Sequence, residues 1–109
     1  MTDATEKNIN PTADNPVSGL DQVIHAPSRL NIITNLYVVE SADFIFLRNL
    51  TGLTWGNLSA HTAKLAEAGY VEIEKSIVNK KTHTVAKLTK AGRKAFEEYK
   101  QKMFEVLEK

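Results

Sequence analysis

The chain has 109 residues, 42% of them apolar, which is enough for one domain with one modest core. It has no cysteine, so disulfides and thiolate metal sites are excluded, and no apolar run nears the roughly 18 residues that span a bilayer, so a cytoplasmic protein without a membrane partner is expected. The net charge of +1 hides an uneven spread: residues 1–27 balance to −3, whereas residues 54–94 carry eight Lys and Arg against three Glu, a local +5 that suits a polyanion or an ordinary solvated face.

Residues 1–19 are rich in Thr, Asp, Asn and Pro, with little apolar content to offset the entropy of ordering, and are expected to form a disordered tail. The segment also lacks the basic and apolar blocks of a leader peptide. Leu20, Val23 and Ile24 make a short amphipathic turn that Pro27 should stop. Ser28 is placed to cap a first helix carrying Leu30, Ile33, Leu36 and Tyr37 on one stripe and ending near Val39.

Ser41 offers the next N-cap, with Asp43 in the first turn and Phe44, Ile45, Leu47 and Leu50 as apolar positions, and Gly52 breaks that helix. Leu53 reads as an inward plug, and Thr54 as the N-cap of a helix over residues 54–68 with Leu58, Thr62 and Leu65 on its buried face. Its other face is small and hydrogen-bonding, with Gly56, Asn57, Ser59, Ala60, Ala63 and Lys64 where long charges would be usual. Two short helices joined by a Gly-containing turn form a helix-turn-helix, whose second helix is the one that enters a DNA major groove.

Gly69 stands where a left-handed residue is wanted, and YVEIEK then alternates as a half-buried strand should, with Val71 and Ile73 on one side. THTVAKLT is a second strand, and with SIVNKK between them the two form a hairpin with a basic tip, so residues 76–83 read as a wing. Thr89 caps a last helix to about residue 108, on which Phe96, Tyr99, Met103 and Val106 recur at three, four and three. The first part of that stripe suits the domain's own core. Its continuation, with Leu107, runs past a domain this small and is expected to pair with a second copy, so Phe96, Tyr99, Met103, Val106 and Leu107 are the candidate homodimer residues.

The pieces HAPSRLNII, LTWGNLSAHTAKLAEAGYVEIEK and LTKAGRKAF resemble the MarR/ArsR-type winged-helix transcriptional regulators, in particular their small single-domain branch. The resemblance spans residues 20–103, and its most specific parts are Leu-Ser-x-His-x-x-x-Leu-x-x-Ala-Gly-Tyr-Val and the Leu-Thr-x-x-Gly-Arg that opens the last helix. It implies a mainly α fold of four or five helices with a small antiparallel β-hairpin, a winged helix-turn-helix over residues 20–109 with an extended C-terminal dimerisation helix, binding of double-stranded DNA as a dimer, and regulation of transcription. Ala60 departs from the family pattern, where arginine is frequent, and Lys80, Lys81 and His83 occupy a wing tip where arginine is common. Bidentate readout of guanine by Arg is therefore missing from this surface.

Asn57 and Ser59 lie near the N-terminal end of the outward face, where an amide can pair with adenine and a hydroxyl with a base or a phosphate. Thr54, Ala60, His61 and Lys64 complete the candidates on that helix, with Lys64 suited to a phosphate and His61 to a phosphate or a structural bond. Trp55 is either a partly buried anchor or a sugar-phosphate contact. Lys80, Lys81 and His83 are placed for flanking phosphates or a minor groove, while Arg48, Lys90 and Arg93 can add backbone contacts or pair with carboxylates.

Other chemistry finds little support. His25, His61 and His83 sit in unrelated elements, so no metal site is expected, and no phosphate loop or nucleophile with matched partners marks an enzyme. No cofactor is expected and the residues mark no effector ligand. The competing reading is a winged helix that docks a protein through Trp55 and the same small-residue face.

Overall fold

The computed structural model describes residues 16–108. The tail expected over residues 1–19 therefore lies mostly outside the described residues, and its last four, Pro16–Gly19, form a single 3-10 turn. Leu20 and Ile24 are buried beyond it, and Asp21 organises the segment, its Oδ1 accepting from the amides of Val23 at 2.9 Å and Ile24 at 3.3 Å. Helix α1 is Pro27–Val39. Pro27 begins this helix rather than stopping the turn before it, and Ala26, not Ser28, is the N-cap, with no side-chain cap bond. The first turn of a helix leaves its amides unpaired, so a residue without an N–H and with φ already near helical values fits there at no cost. Buried Ile32, Ile33 and Leu36 make α1 the centre of the domain, packed against the two helices and the strand that follow.

Ser41–Asp43 form a short strand β1 before helix α2, Phe44–Thr51. The N-cap is accordingly Asp43, whose side chain accepts from the Phe46 amide at 2.8 Å, instead of Ser41. Three residues carry no readable periodicity. Strand β1 exists because β3, described below, offers it a free edge, pairing Ser41 with Lys87, Ala42 with Ala86 and Asp43 with Val85. Gly52 closes α2 in the left-handed region, φ 74°, and Leu53 tucks half-buried against the core.

Helix α3, Trp55–Glu67, is capped by Thr54, whose hydroxyl accepts from the Asn57 amide at 3.2 Å, and buries Leu58, Thr62 and Leu65 as expected. It ends in a Schellman motif: the Tyr70 amide donates to the Leu65 carbonyl and that of Gly69 to Ala66, both at 2.9 Å, with Gly69 at φ 83°. The Tyr70 hydroxyl then donates to Asp21 Oδ2, tying the end of α3 to the segment before α1. That bond, with burial and the neighbouring Asp21 charge, pushes Tyr70 up to about 12 from 10.0. The folded state thus holds the neutral phenol more firmly than the unfolded chain does. Its stabilisation is complete below pH 10 and is lost as pH rises towards 12. Tyr70→Phe should flatten this alkaline loss of stability in urea melts; an unchanged alkaline limb would contradict the assignment.

Strands β2, Val71–Val78, and β3, Lys81–Leu88, pair antiparallel, and with β1 give a three-stranded sheet of order β1-β3-β2 rather than a lone hairpin. The hairpin with a basic tip expected over residues 76–83 is present, and its turn is tighter than the polar SIVNKK suggests. Both strands continue into it, Ser76 pairing with His83 and Val78 with Lys81, and only Asn79 and Lys80 turn, at φ 52° and 65°. Two successive residues at positive φ make the turn whose twist matches a hairpin, and asparagine is among the residues that tolerate it best.

The last helix, α4, is Lys90–Leu107. The Thr89 hydroxyl accepts from the Gly92 amide at 2.9 Å and donates to the Gly69 carbonyl at 2.7 Å, so one side chain caps α4 and fastens it to the end of α3. Phe96 and Tyr99 are buried, Phe96 against the Tyr37 ring at 4.9 Å.

Candidate nucleic-acid interface

The faces of α3 follow from its three buried residues. With Leu58, Thr62 and Leu65 inward, the exposed side consists of Trp55, Gly56, Asn57, Ser59, Ala60, Ala63 and Lys64. No long side chain stands between Asn57 and Lys64, so a surface laid against this face reaches the helix closely. Gly56 adds to that: a Cβ there would meet nothing within 4 Å, so the protein's own packing does not demand glycine. Thr54 is exposed, and its hydroxyl oxygen serves the helix cap while its hydrogen stays available.

Trp55 is 50% exposed, so half of its surface packs at the start of α3 and half is open to a partner, which fits both readings given to it. The Arg48 guanidinium stacks over its ring at 4.8 Å, so the cation from α2 and the indole from α3 form one unit at the turn of the helix-turn-helix. Trp55 also lines an open cleft with Asp43, Phe44 and Ile45 of the α2 start and with Thr82, His83 and Thr84 of β3. Trp55 and His83, 28 positions apart in the chain, are thereby brought to one place between the helix and the wing. Lys80 occupies the turn and Lys81 the first position of β3, both exposed at the far end of the hairpin.

His61 is only partly exposed, and its Nδ1 lies 3.2 Å from Nη1 of Arg29 on α1. Nothing in the sequence marks Arg29, because a lone cation at the start of a helix carries no local signal of a partner 32 residues away. Arg93 lies 3.8 Å from a Glu40 carboxylate oxygen and over the Tyr37 ring at 4.7 Å, so of its two readings the structure shows the ion pair.

On α4 the candidate dimer residues divide. Phe96 and Tyr99 keep 5% and 4% of their surface and belong to the chain's own core, while Met103 and Val106 are half-buried and Leu107 is 75% exposed. Phe104, 59% exposed, joins Leu107, Met103 and the α1 residue Leu30 along an open apolar groove. It was missed because it falls outside the three-four spacing of the stripe. Among the described residues no group of three His, Cys, Asp or Glu is gathered to hold a metal, and no helix is long and apolar enough to cross a membrane.

A helix-turn-helix whose second helix stands exposed beside a basic two-stranded wing defines the winged helix-turn-helix class. The model of the winged helix DNA-binding domain matches residues 28–107, and the chain belongs to that family. Its sequence is 36% identical over 87 residues to an uncharacterized protein of Methanocaldococcus jannaschii, covering 80% of this chain and 91% of that one. Its fold matches a transcriptional regulator homologue from Pyrococcus horikoshii OT3 at a TM-score of 0.79 and 24% identity, over 85% of this chain and 94% of that one. It also matches NadR in complex with 4-hydroxyphenylacetate at 0.67 and 24%, over 95% and 72%. The winged helix-turn-helix resemblance drawn from the sequence and the α+β fold with a long last helix are both borne out.

Proposed function

We propose that the protein is a dimeric regulator of transcription that places α3 in the major groove of double-stranded DNA and its wing on the flanking backbone. The observation that carries this reading is a coincidence on one side of the molecule. The exposed face of α3 is small and hydrogen-bonding, and the Trp55–His83 cleft joins it to a wing ending in Lys80 and Lys81. A protein-docking face would need the exposed Trp55 but not the basic tip.

Roles follow from chemistry. Asn57 offers both an amide donor and an acceptor, the pattern that reads adenine, and Ser59 a hydroxyl for either base or phosphate. Ala60 and Ala63 suit thymine methyls. Lys64, Lys80 and Lys81 serve phosphates, which position the protein without reading sequence. The dimer forms through α4, whose exposed Phe104 and Leu107, with Met103 and Val106, would otherwise leave an apolar strip in water.

Selection of bound duplexes from a random pool, with the solution mass by light scattering, tests the proposal as a whole. Expected are a mass of two chains and two copies of a short site about one helical turn apart; a monomer that enriches no site refutes it. Asn57→Ala should relax the preference at one base pair per half-site by about 1–3 kcal/mol, read from affinities for single-base variants, while leaving the salt dependence in place.

A further inference from the structure

Arg29 begins in the first turn of α1, yet its hydrogen bonds leave that helix. Its Nε donates to the Val23 carbonyl at 2.6 Å and Nη2 reaches the Gln22 carbonyl at 3.5 Å, which pins the guanidinium to the backbone leading into α1. From that fixed base Nη1 faces Nδ1 of His61 at 3.2 Å. A guanidinium has donors only, so Nδ1 must be the acceptor, and the proton of the neutral ring is then on Nε2. Nε2 has no hydrogen-bond partner among the described residues, and it is not among their buried unpaired polar atoms, of which Thr62 Oγ1 is the single case. The ring therefore presents a free N–H towards solvent.

The position of that N–H on the helix matters. His61 follows Asn57 by one turn and precedes Lys64 by three residues, so the three share one edge of α3. Round the helix His61 lies about 120° from Trp55, and Asn57 and Lys64 about 160–180°, so this edge faces away from the cleft that joins the wing. Lys64 and Arg29 also line one shallow depression beside it.

We propose that Arg29 is a positioning residue for DNA binding: it fixes the orientation and tautomer of His61, so that Nε2–H is a pre-set donor to a phosphate oxygen on the strand bordering α3 opposite the wing. The proposal rests on α3 being the DNA-contacting helix. Three of the five guanidinium N–H groups are directed to Val23, His61 and Gln22, and the proposal assigns Arg29 no phosphate of its own, which the double variant below tests. Its effect on affinity passes through the ring.

The test has two arms on the full chain. Nitrogen NMR of the imidazole should show His61 protonated on Nε2 and bare on Nδ1 near neutral pH, with that bias reduced in Arg29→Met; protonation on Nδ1 overturns the proposal. Duplex affinities are then measured for Arg29→Met, His61→Ala and the double variant. His61→Ala is expected to weaken binding by about tenfold or more, the scale of one hydrogen bond to a charged group, Arg29→Met by no more than that, and the double variant to be no weaker than His61→Ala. Multiplying losses would show Arg29 acting independently and overturn the proposal. His61→Gln, whose amide can stand near Nε2, should retain most of the affinity. Where Arg29→Met does not fold, Arg29→Lys replaces it, keeping the charge but not the fork that spans Val23 and His61. If the unaltered chain binds no duplex, the DNA reading fails and this proposal with it, whereas a bound duplex with additive losses removes the proposal alone.

Discussion

Gly92→Ala is expected to cost about 3 kcal/mol of stability, the upper part of the range for overpacking, and to lower the melting temperature by on the order of 10 °C in a domain this size. A Cβ at position 92 would lie 2.1 Å from the Tyr70 carbonyl oxygen, 2.8 Å from its carbon and 2.9 Å from a Leu88 methyl. The Leu88 methyl can swing aside, but the carbonyl cannot. It accepts from the Thr89 amide at 3.0 Å, and the Tyr70 amide is committed to the Schellman bond that ends α3. Relief would require α4 to lift from the end of α3, breaking the Thr89 hydroxyl bond to Gly69 as well. Gly56→Ala is the control. Nothing stands near that position, and alanine's helix propensity should raise stability by up to about 1 kcal/mol. A Gly92→Ala variant melting with the unaltered protein would mean that α4 does not rest on Tyr70.

The second large effect concerns electrostatics. Lys80→Ala with Lys81→Ala should weaken binding to every duplex, cognate or not, and reduce the slope of log affinity against log salt by roughly 1–2, at about 0.9 per lost phosphate contact. Both side chains are exposed at the end of a hairpin held by strand pairing up to Val78 and Lys81, so the fold should survive the change. Melting temperature is the check on that point. An unchanged slope would remove the wing from the interface, and a loss confined to one sequence would make these lysines readers of bases instead.

What could be read in the sequence was whatever is settled within a few residues. Thr54 and Thr89 cap helices, and Gly52 and Gly69 take positive φ, because hydroxyl reach and the missing Cβ are local facts. The outward face of α3 follows from three buried residues at helical spacing. Apart from the start of α1, where Pro27 opens the helix and Ala26 replaces Ser28 as the N-cap, the errors occur where a distant partner decides. Ser41–Asp43 is a strand because Val85 to Lys87 lie alongside, and that moves the N-cap of α2 to Asp43. The wing is tight because Ser76–His83 and Val78–Lys81 pairing carries the ladder through a stretch whose polar residues look like a loop. Similarly, Gly92 appears in the sequence as one letter of a motif, and its necessity comes from the Tyr70 backbone pressed against it. The Arg29–His61 contact and the meeting of Trp55 with His83 belong to the same group: each joins elements that only the fold brings together.

Under the function proposed above, this winged helix binds duplex DNA through α3 and a basic wing. A titration of the full chain into a fluorescently labelled duplex pool, followed by anisotropy as salt is raised, tests it most directly. Expected is binding at low salt that falls linearly on log–log axes with rising salt, steepest for the unaltered chain and shallower for the double-lysine variant. Absence of binding at low salt, or binding that salt does not weaken, would contradict it and favour a face that docks protein.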